Sequence, residues 1–144
     1  MKIVIGSDHA GFFLKENIKN HLEKKGLEVT DLGPEEALGC DYSVKALEAG
    51  RAVVQGRAER GILICGTGLG MSMAANRIKG VRAALCTNEY LAKMSRAHNN
   101  ANILALGERV IGPGLALAIV DAWLETEFEG GRHQRRIDIF DEAD

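Results

Sequence analysis

The 144-residue chain has no excess of charge of either sign: 18 Lys and Arg against 20 Asp and Glu leave a net charge of −2, with the signs mixed along most of its length. Broad, non-specific binding to nucleic acid needs a basic surface and is excluded on this balance, although a local basic cluster stays open. Long apolar runs are missing as well. None approaches the roughly 20 residues needed to span a bilayer, so no membrane segment is expected. The amino terminus, MKIVIGSDHAG, has neither the apolar core nor the small-residue cleavage site of a signal peptide, and a cytoplasmic protein is expected. Cysteine is scarce, odd in number and widely spaced, at Cys40, Cys65 and Cys86. No pair has zinc-knuckle or CxxC spacing, so a structural metal site is not expected and each thiol stands alone. Internal repeats and low-complexity linkers are absent too. What remains is ordinary for a globular protein: 46% hydrophobic residues, 26% charged and 5% aromatic. The length suits one domain over residues 1–144, burying roughly 70% of the unfolded surface.

Patterning supplies the architecture. Lys2 to Gly6 is a β-branched run, and Phe13, Leu14, Ile18 and Leu22 then recur at helical spacing over residues 11–25, up to Gly26. Leu27 to Leu32 alternates as a second strand, and Gly33-Pro34 opens a loop to about Asp41. A helix starting near Ser43 carries Val44, Leu47, Val53 and Val54. Gly61 to Cys65 is a third strand, with a helix over residues 70–78 behind it. Val81 to Cys86 reads as a fourth strand, residues 88–97 as a helix capped by Asn88, and Ile103 to Leu106 as a fifth strand. An apolar helix spans residues 114–125, and the tail from Gly130 holds Arg132, Arg135 and Arg136 before an acidic end. Strands alternating with helices over short links predict right-handed βαβ units, hence an α/β three-layer sandwich with a five-stranded parallel sheet, Rossmann-like in type. Ligands in such folds bind beyond the carboxyl ends of the strands. Asp8-His9, Cys65 to Gly70, Thr87-Asn88 and Gly107 to Arg109 fall on that edge.

The stretch GILICGTGLGMS carries the sharpest signal. A dinucleotide loop, counted from Gly66, needs glycine where Met71 stands, and a Walker loop needs a lysine that is missing. A cysteine phosphatase loop, Cys-x5-Arg-Ser/Thr, fits Cys65 and Ser72 but again meets Met71 in place of the arginine that would hold the phosphoryl group. A phosphocysteine carrier remains an alternative of a different functional class. What the loop offers is a nest of backbone N–H groups that stabilises a developing anion and favours thiolate at Cys65. Cys65 is then either a base or a small buried hydrophobe, while Cys86 reads as packing.

Asp8 suits either a helix cap or a ligand contact, and His9 beside it is badly placed for a purely structural role. His98 offers acid–base chemistry near neutral pH within a run, HNNAN, that also supplies turn residues. Arg132 and Arg136 share a face if the tail is helical, which suits a phosphate, but a solvated tail explains them equally. Together these groups suit proton abstraction beside the carbonyl of a phosphorylated sugar.

Four ordered segments, GSDHAG, GILICGTGLGMSMAANRIKGVRAALC, SRAHNNANILALGERVIG and GGRHQRR, resemble the ribose-5-phosphate isomerase B family, which also includes galactose-6-phosphate isomerase subunits. The resemblance covers nearly the whole chain and implies an aldose–ketose isomerase without metal or cofactor. It implies Cys65 as the base between C1 and C2, with Thr67 and the amides of Gly66, Gly68, Leu69 and Gly70 stabilising the enediolate. His98 would help to open the sugar ring, and Asp8 would bind sugar hydroxyls. His9, Arg132 and Arg136 would bind the phosphate, with Asn99 and Arg109 completing the site. It also implies a homodimer with shared sites, the groups from His98 to Arg109 coming from the partner, and in some members a tetramer. One segment departs: where many members carry a stretch like VDYPDYA, this chain reads CDYSVKA. That loop bears on which sugar phosphate is taken, ribose 5-phosphate or a six-carbon one such as galactose 6-phosphate or allose 6-phosphate.

Overall fold

The computed structural model describes residues 1–143. Five strands, β1 (Lys2–Ser7), β2 (Glu28–Asp31), β3 (Arg60–Cys65), β4 (Ala83–Leu85) and β5 (Ile103–Gly107), form one parallel sheet in the order β2-β1-β3-β5-β4. The helices are α1 (Phe12–Lys24), α2 (Tyr42–Val54), α3 (Leu69–Ala75), α4 (Glu89–Ala97), α5 (Pro113–Glu125) and α6 (Arg132–Asp141), and a 3-10 turn at His9–Gly11 precedes α1. The sheet is the five-stranded parallel one the sequence predicts. Its edge strands β2 and β4 are shorter than the sequence runs, because each pairs on one side alone.

The period-2 alternation of the strands sorts the core into two layers. Ile3, Ile5, Ile62, Ile64, Leu104 and Leu106 face one way, against Leu14, Ile18 and Leu22 of α1, Ala92 of α4 and Ala116, Ile119, Val120 and Trp123 of α5. Val4, Leu63, Cys65, Ile103 and Ala105 face the other, against Ala46, Ala49 and Ala52 of α2 and Met71 and Ala75 of α3. Small alanines on α2 let that helix lie close to the sheet.

The tail is the main departure from the sequence pattern. Residues 132–141 form α6, whose apolar contact is restricted to His133 and Ile137, one turn apart. A helix so polar gives little periodic signal, and it begins only because Gly130 and Gly131 turn the chain through positive φ of 68° and 57°.

The topology also determines where a crevice opens. After β1 the chain crosses on one face through α1 to β2, then returns on the other face through α2 to β3, on the far side of β1. The helices therefore diverge above the carboxyl ends of β1 and β3, which is the switch point where such sheets bind ligands.

Candidate active site

An open cleft of about 320 Å³ lies at this switch point, lined by Asp8, His9, Ala10, Tyr42, Cys65, Gly66, Thr67, Gly70 and Arg109. Asp8 and His9 follow β1 directly. Asp8 is buried, its Oδ1 accepting the Gly11 amide at 3.1 Å, so it caps the 3-10 turn while facing the cleft. Its own amide donates to the Ile64 carbonyl at 3.2 Å, seating the turn on the end of β3. His9 is exposed at the mouth.

Cys65 ends β3 with only 5% of its surface exposed. The Gly68 amide donates to its Sγ at 3.1 Å, so the sulfur is the acceptor in this contact. Gly68 makes this possible with φ of +83°, and a Cβ there would lie 2.5 Å from Leu85 Cδ1. Thr67 is exposed, and its Oγ1 accepts the Leu69 amide at 3.2 Å. Leu69 opens α3 outside the cleft lining. Arg109 lies over Gly66, whose added Cβ would sit 3.4 Å from Arg109 Nη1, and the Arg109 amide donates to the Gly66 carbonyl at 3.0 Å. Burial pushes the Cys86 thiol up to about 11 against a hydrogen bond from Ser95, and burial also raises Cys40.

Tyr42 was not singled out as a site residue by its sequence setting, yet it forms one wall. Its ring packs on Gly70, where a Cβ would fall 2.6 Å from Tyr42 Cε2. The only sequence signal was Tyr42 within the CDYS segment.

The remaining expected residues gather elsewhere. Helices run antiparallel to the strands they cover, so the end of α4 lies at the amino edge of the sheet, about 15 Å of strand away from the cleft. There the His98 and His133 rings stack with centroids 4.2 Å apart and planes at 11°. Glu129 Oε1 sits 4.0 Å from His98 Nε2 and 3.6 Å from His133 Nε2. The Glu129 amide donates to the Ala97 carbonyl at 3.0 Å, tying this group to α4. Burial first, then His98, Arg132 and Arg136 nearby, lowers His133 below the usual histidine value, against the pull of Glu129. The three side chains offer ligand atoms within 4.8 Å of one another. Arg132 and Arg136 are exposed on α6 beside His133, and Asn99 lines a larger hollow of about 680 Å³ at this same edge.

One chain thus holds two groups that it does not bring together: Asp8, His9, Cys65, Thr67 and Arg109 at the carboxyl edge, and His98, Arg132 and Arg136 at the amino edge. The expected grouping of Arg109 with His98 is corrected, since the Arg109 backbone is bonded to the loop after Cys65. Among the described residues no helix is long and apolar enough to cross a membrane.

A doubly wound sheet with a thiol, a carboxylate, an imidazole and a guanidinium at its switch point defines an α/β protein equipped for proton transfer on a small anionic ligand. The chain belongs to the Ribose/Galactose Isomerase family, whose pattern matches residues 3–140, and it is an isomerase. It is 50% identical over 137 residues to ribose-5-phosphate isomerase B of Escherichia coli, covering 95% of this chain and 92% of the relative. The structure of Clostridium thermocellum ribose-5-phosphate isomerase B is 56% identical, with a TM-score of 0.98 over 99% of this chain and 96% of that one. D-erythrulose-4-phosphate isomerase of Pectobacterium atrosepticum is 46% identical over 132 residues, 91% of this chain and 87% of the relative.

Proposed function

We propose that this protein interconverts ribose 5-phosphate and ribulose 5-phosphate in the cytoplasm, as a homodimer whose sites are shared. The observation that carries the chemistry is the Gly68 amide 3.1 Å from Cys65 Sγ, in the cleft that also holds Asp8, His9 and Arg109. His98 moves a proton from the anomeric hydroxyl to the ring oxygen and so opens the sugar. Cys65 thiolate takes the C2 proton, leaving an enediolate with negative charge on O1. The amides of the Gly66 to Gly70 loop and the Thr67 hydroxyl stabilise that charge. The same thiol returns the proton to C1 while the O2 proton passes to O1, giving the 2-ketose with atoms and charge balanced. Asp8 orients the hydroxyls, and His9 and Arg109 hold the phosphate together with Arg132 and Arg136.

The sharing of sites is supported by the strand length between Cys65 and His98. A second copy related by a two-fold axis offers its amino-edge group to this cleft, and the exchange is reciprocal. Asn99 travels with His98.

Turnover of ribose 5-phosphate tests this reading, with Cys65→Ala expected to cut kcat by about 10²- to 10⁴-fold, the usual worth of a positioned base. Near-wild-type turnover by that variant refutes Cys65 as the base. A second reading, the same chemistry on another sugar phosphate, is supported by the CDYS loop beside the cleft and by the Pectobacterium relative named for a four-carbon substrate. Ketose formation from a panel of four-, five- and six-carbon aldose phosphates separates the two.

A further inference from the structure

We propose that Glu108 is a positioning residue of this site, its carboxylate locking the helix behind Asp8 and His9 to the adjoining ends of β3 and β5, where Cys65 and Arg109 stand. The inference rests on the isomerase reading for its kinetic consequence, and on three contacts for its geometry. Glu108 Oε1 accepts the Leu14 amide at 2.6 Å, joining residues 94 positions apart. The Glu108 amide donates to the Cys65 carbonyl at 3.0 Å, and the next amide, Arg109, to the Gly66 carbonyl at 3.0 Å. One residue therefore touches both walls: its backbone is fixed to the loop of the base, and its side chain to the first turn of α1.

That turn needs such a group. α1 begins at Gly11, which provides no side-chain cap, and its first turn, Phe12 to Lys15, contains no acidic residue. The free amides and the positive end of the helix dipole call for an anion. Glu108 supplies it from the turn just after β5, in a short charge-assisted hydrogen bond. The walls also meet where the Asp8 amide donates to the Ile64 carbonyl at 3.2 Å and where Gly11 packs on β3, an added Cβ there lying 2.5 Å from the Ile64 carbonyl oxygen. Gly11 sets how close the walls come, and Glu108 stops them from sliding. His9 sits on one wall and Arg109 on the other, so the distance between the two side chains offered to the phosphate depends on this anchor.

The experiment compares wild type, Glu108→Ala, Glu108→Gln and Glu108→Asp for kcat and KM on ribose 5-phosphate, for competitive inhibition by inorganic phosphate, and for hydrogen exchange at the Leu14 amide. Glu108→Ala is expected to raise KM and the phosphate inhibition constant together by about tenfold while kcat falls by less than about threefold, since displacement of positioning groups weakens binding geometry before it removes the base. Glu108→Gln keeps an acceptor for Leu14 and stays within about threefold of wild type. Glu108→Asp keeps the charge but lacks a methylene of reach, and it behaves like the alanine variant even if the latter fails to fold. A merely structural role would lower stability without moving KM and the phosphate constant in parallel. The proposal is overturned if Glu108→Asp, folded, keeps both constants at wild-type values, or if Glu108→Gln is impaired as much as Glu108→Asp. Absence of turnover in the wild type would overturn the isomerase reading instead, and unchanged exchange at Leu14 in Glu108→Asp would then overturn the anchor on its own.

Discussion

Asp31→Ala should be among the most damaging single substitutions outside the cleft. Lys15 is completely buried, and its Nζ lies 2.8 and 3.0 Å from the two Asp31 oxygens and 2.9 Å from Glu16 Oε1, with the Phe12 ring centroid 5.2 Å away. Asp31 also receives Lys19 at 3.1 Å and the Gly33 amide at 2.8 Å, so the same carboxylate shapes the loop leading towards Tyr42. Removing it leaves a buried ammonium with one half-exposed carboxylate. Breaking a buried pair in this way costs about 3 to 5 kcal/mol. For a chain of 144 residues that corresponds to a fall in Tm of about 10 to 15 °C. Urea and thermal unfolding followed by circular dichroism, at fixed protomer concentration, measure it. Lys15→Met combined with Asp31→Ala removes the stranded charge and should recover part of the loss, because no ion is then left unpaired. A loss below about 1 kcal/mol, or a double variant no more stable than the single one, would show that the Lys15 charge does not depend on Asp31. The pH dependence is a further check. Burial opposes ionisation of Asp31, but hydrogen bonds from Lys15, the Gly33 amide and Lys19 outweigh it and hold the carboxyl below its ordinary value. A depressed carboxylate contributes stability above its unfolded value, about 3.9, and loses it as the pH falls through the folded one. The gap between wild type and Asp31→Ala should therefore close in acid.

Mixing Cys65→Ala with His98→Ala, each inactive alone, should restore about a quarter of wild-type activity once subunits exchange, since half of the dimers are mixed and each mixed dimer has one intact site; no recovery after verified exchange would refute shared sites. Gly68→Ala should lose about 2 to 5 kcal/mol in urea unfolding, from the left-handed backbone and from overlap with Leu85 and the Leu106 backbone. A wild-type midpoint would show that the loop relaxes freely. His133 should titrate below the ordinary histidine value by NMR, and Glu129→Gln should lower it further, because Glu129 is the one neighbour that raises it. Its depressed value means that its stability contribution is held above the unfolded value and lost as pH falls through the folded one. A midpoint at or above 6.5 would contradict the burial described.

The sheet was legible because its strands are apolar runs with glycine, asparagine or short loops at their ends, and because both faces are buried. Cys65, Asp8 and His9 could be put on one edge by that logic alone, since Cys65 ends one strand and Asp8 and His9 come just after another. Tyr42 could not, because it reaches the cleft from the start of a helix on the other side of a loop, and no periodicity reports that. Glu108 is invisible for a similar reason: within GERVIG nothing indicates a partner 94 residues earlier. The tail stays open between helix and solvated coil in the sequence because charge, not apolar spacing, dominates RHQRRIDIFD. So does the grouping of Arg132 and Arg136 with His98, which arises from the turn at Gly130-Gly131 and from the Glu129 bond to Ala97, both tertiary events.

The outer strand β4 has three residues, and Asn76 closes its open side. The Asn76 Nδ2 donates to the Ala83 carbonyl at 3.0 Å, and its Oδ1 accepts the Ala83 amide at 2.8 Å. A single side-chain amide thus imitates the strand that would come next, occupying both backbone groups of the first residue of β4. Unprotected rims recruit foreign strands and seed fibrils. Here growth of the sheet past β4 would first have to evict Asn76, and Asn76→Ala would turn a sealed border into a sticky one.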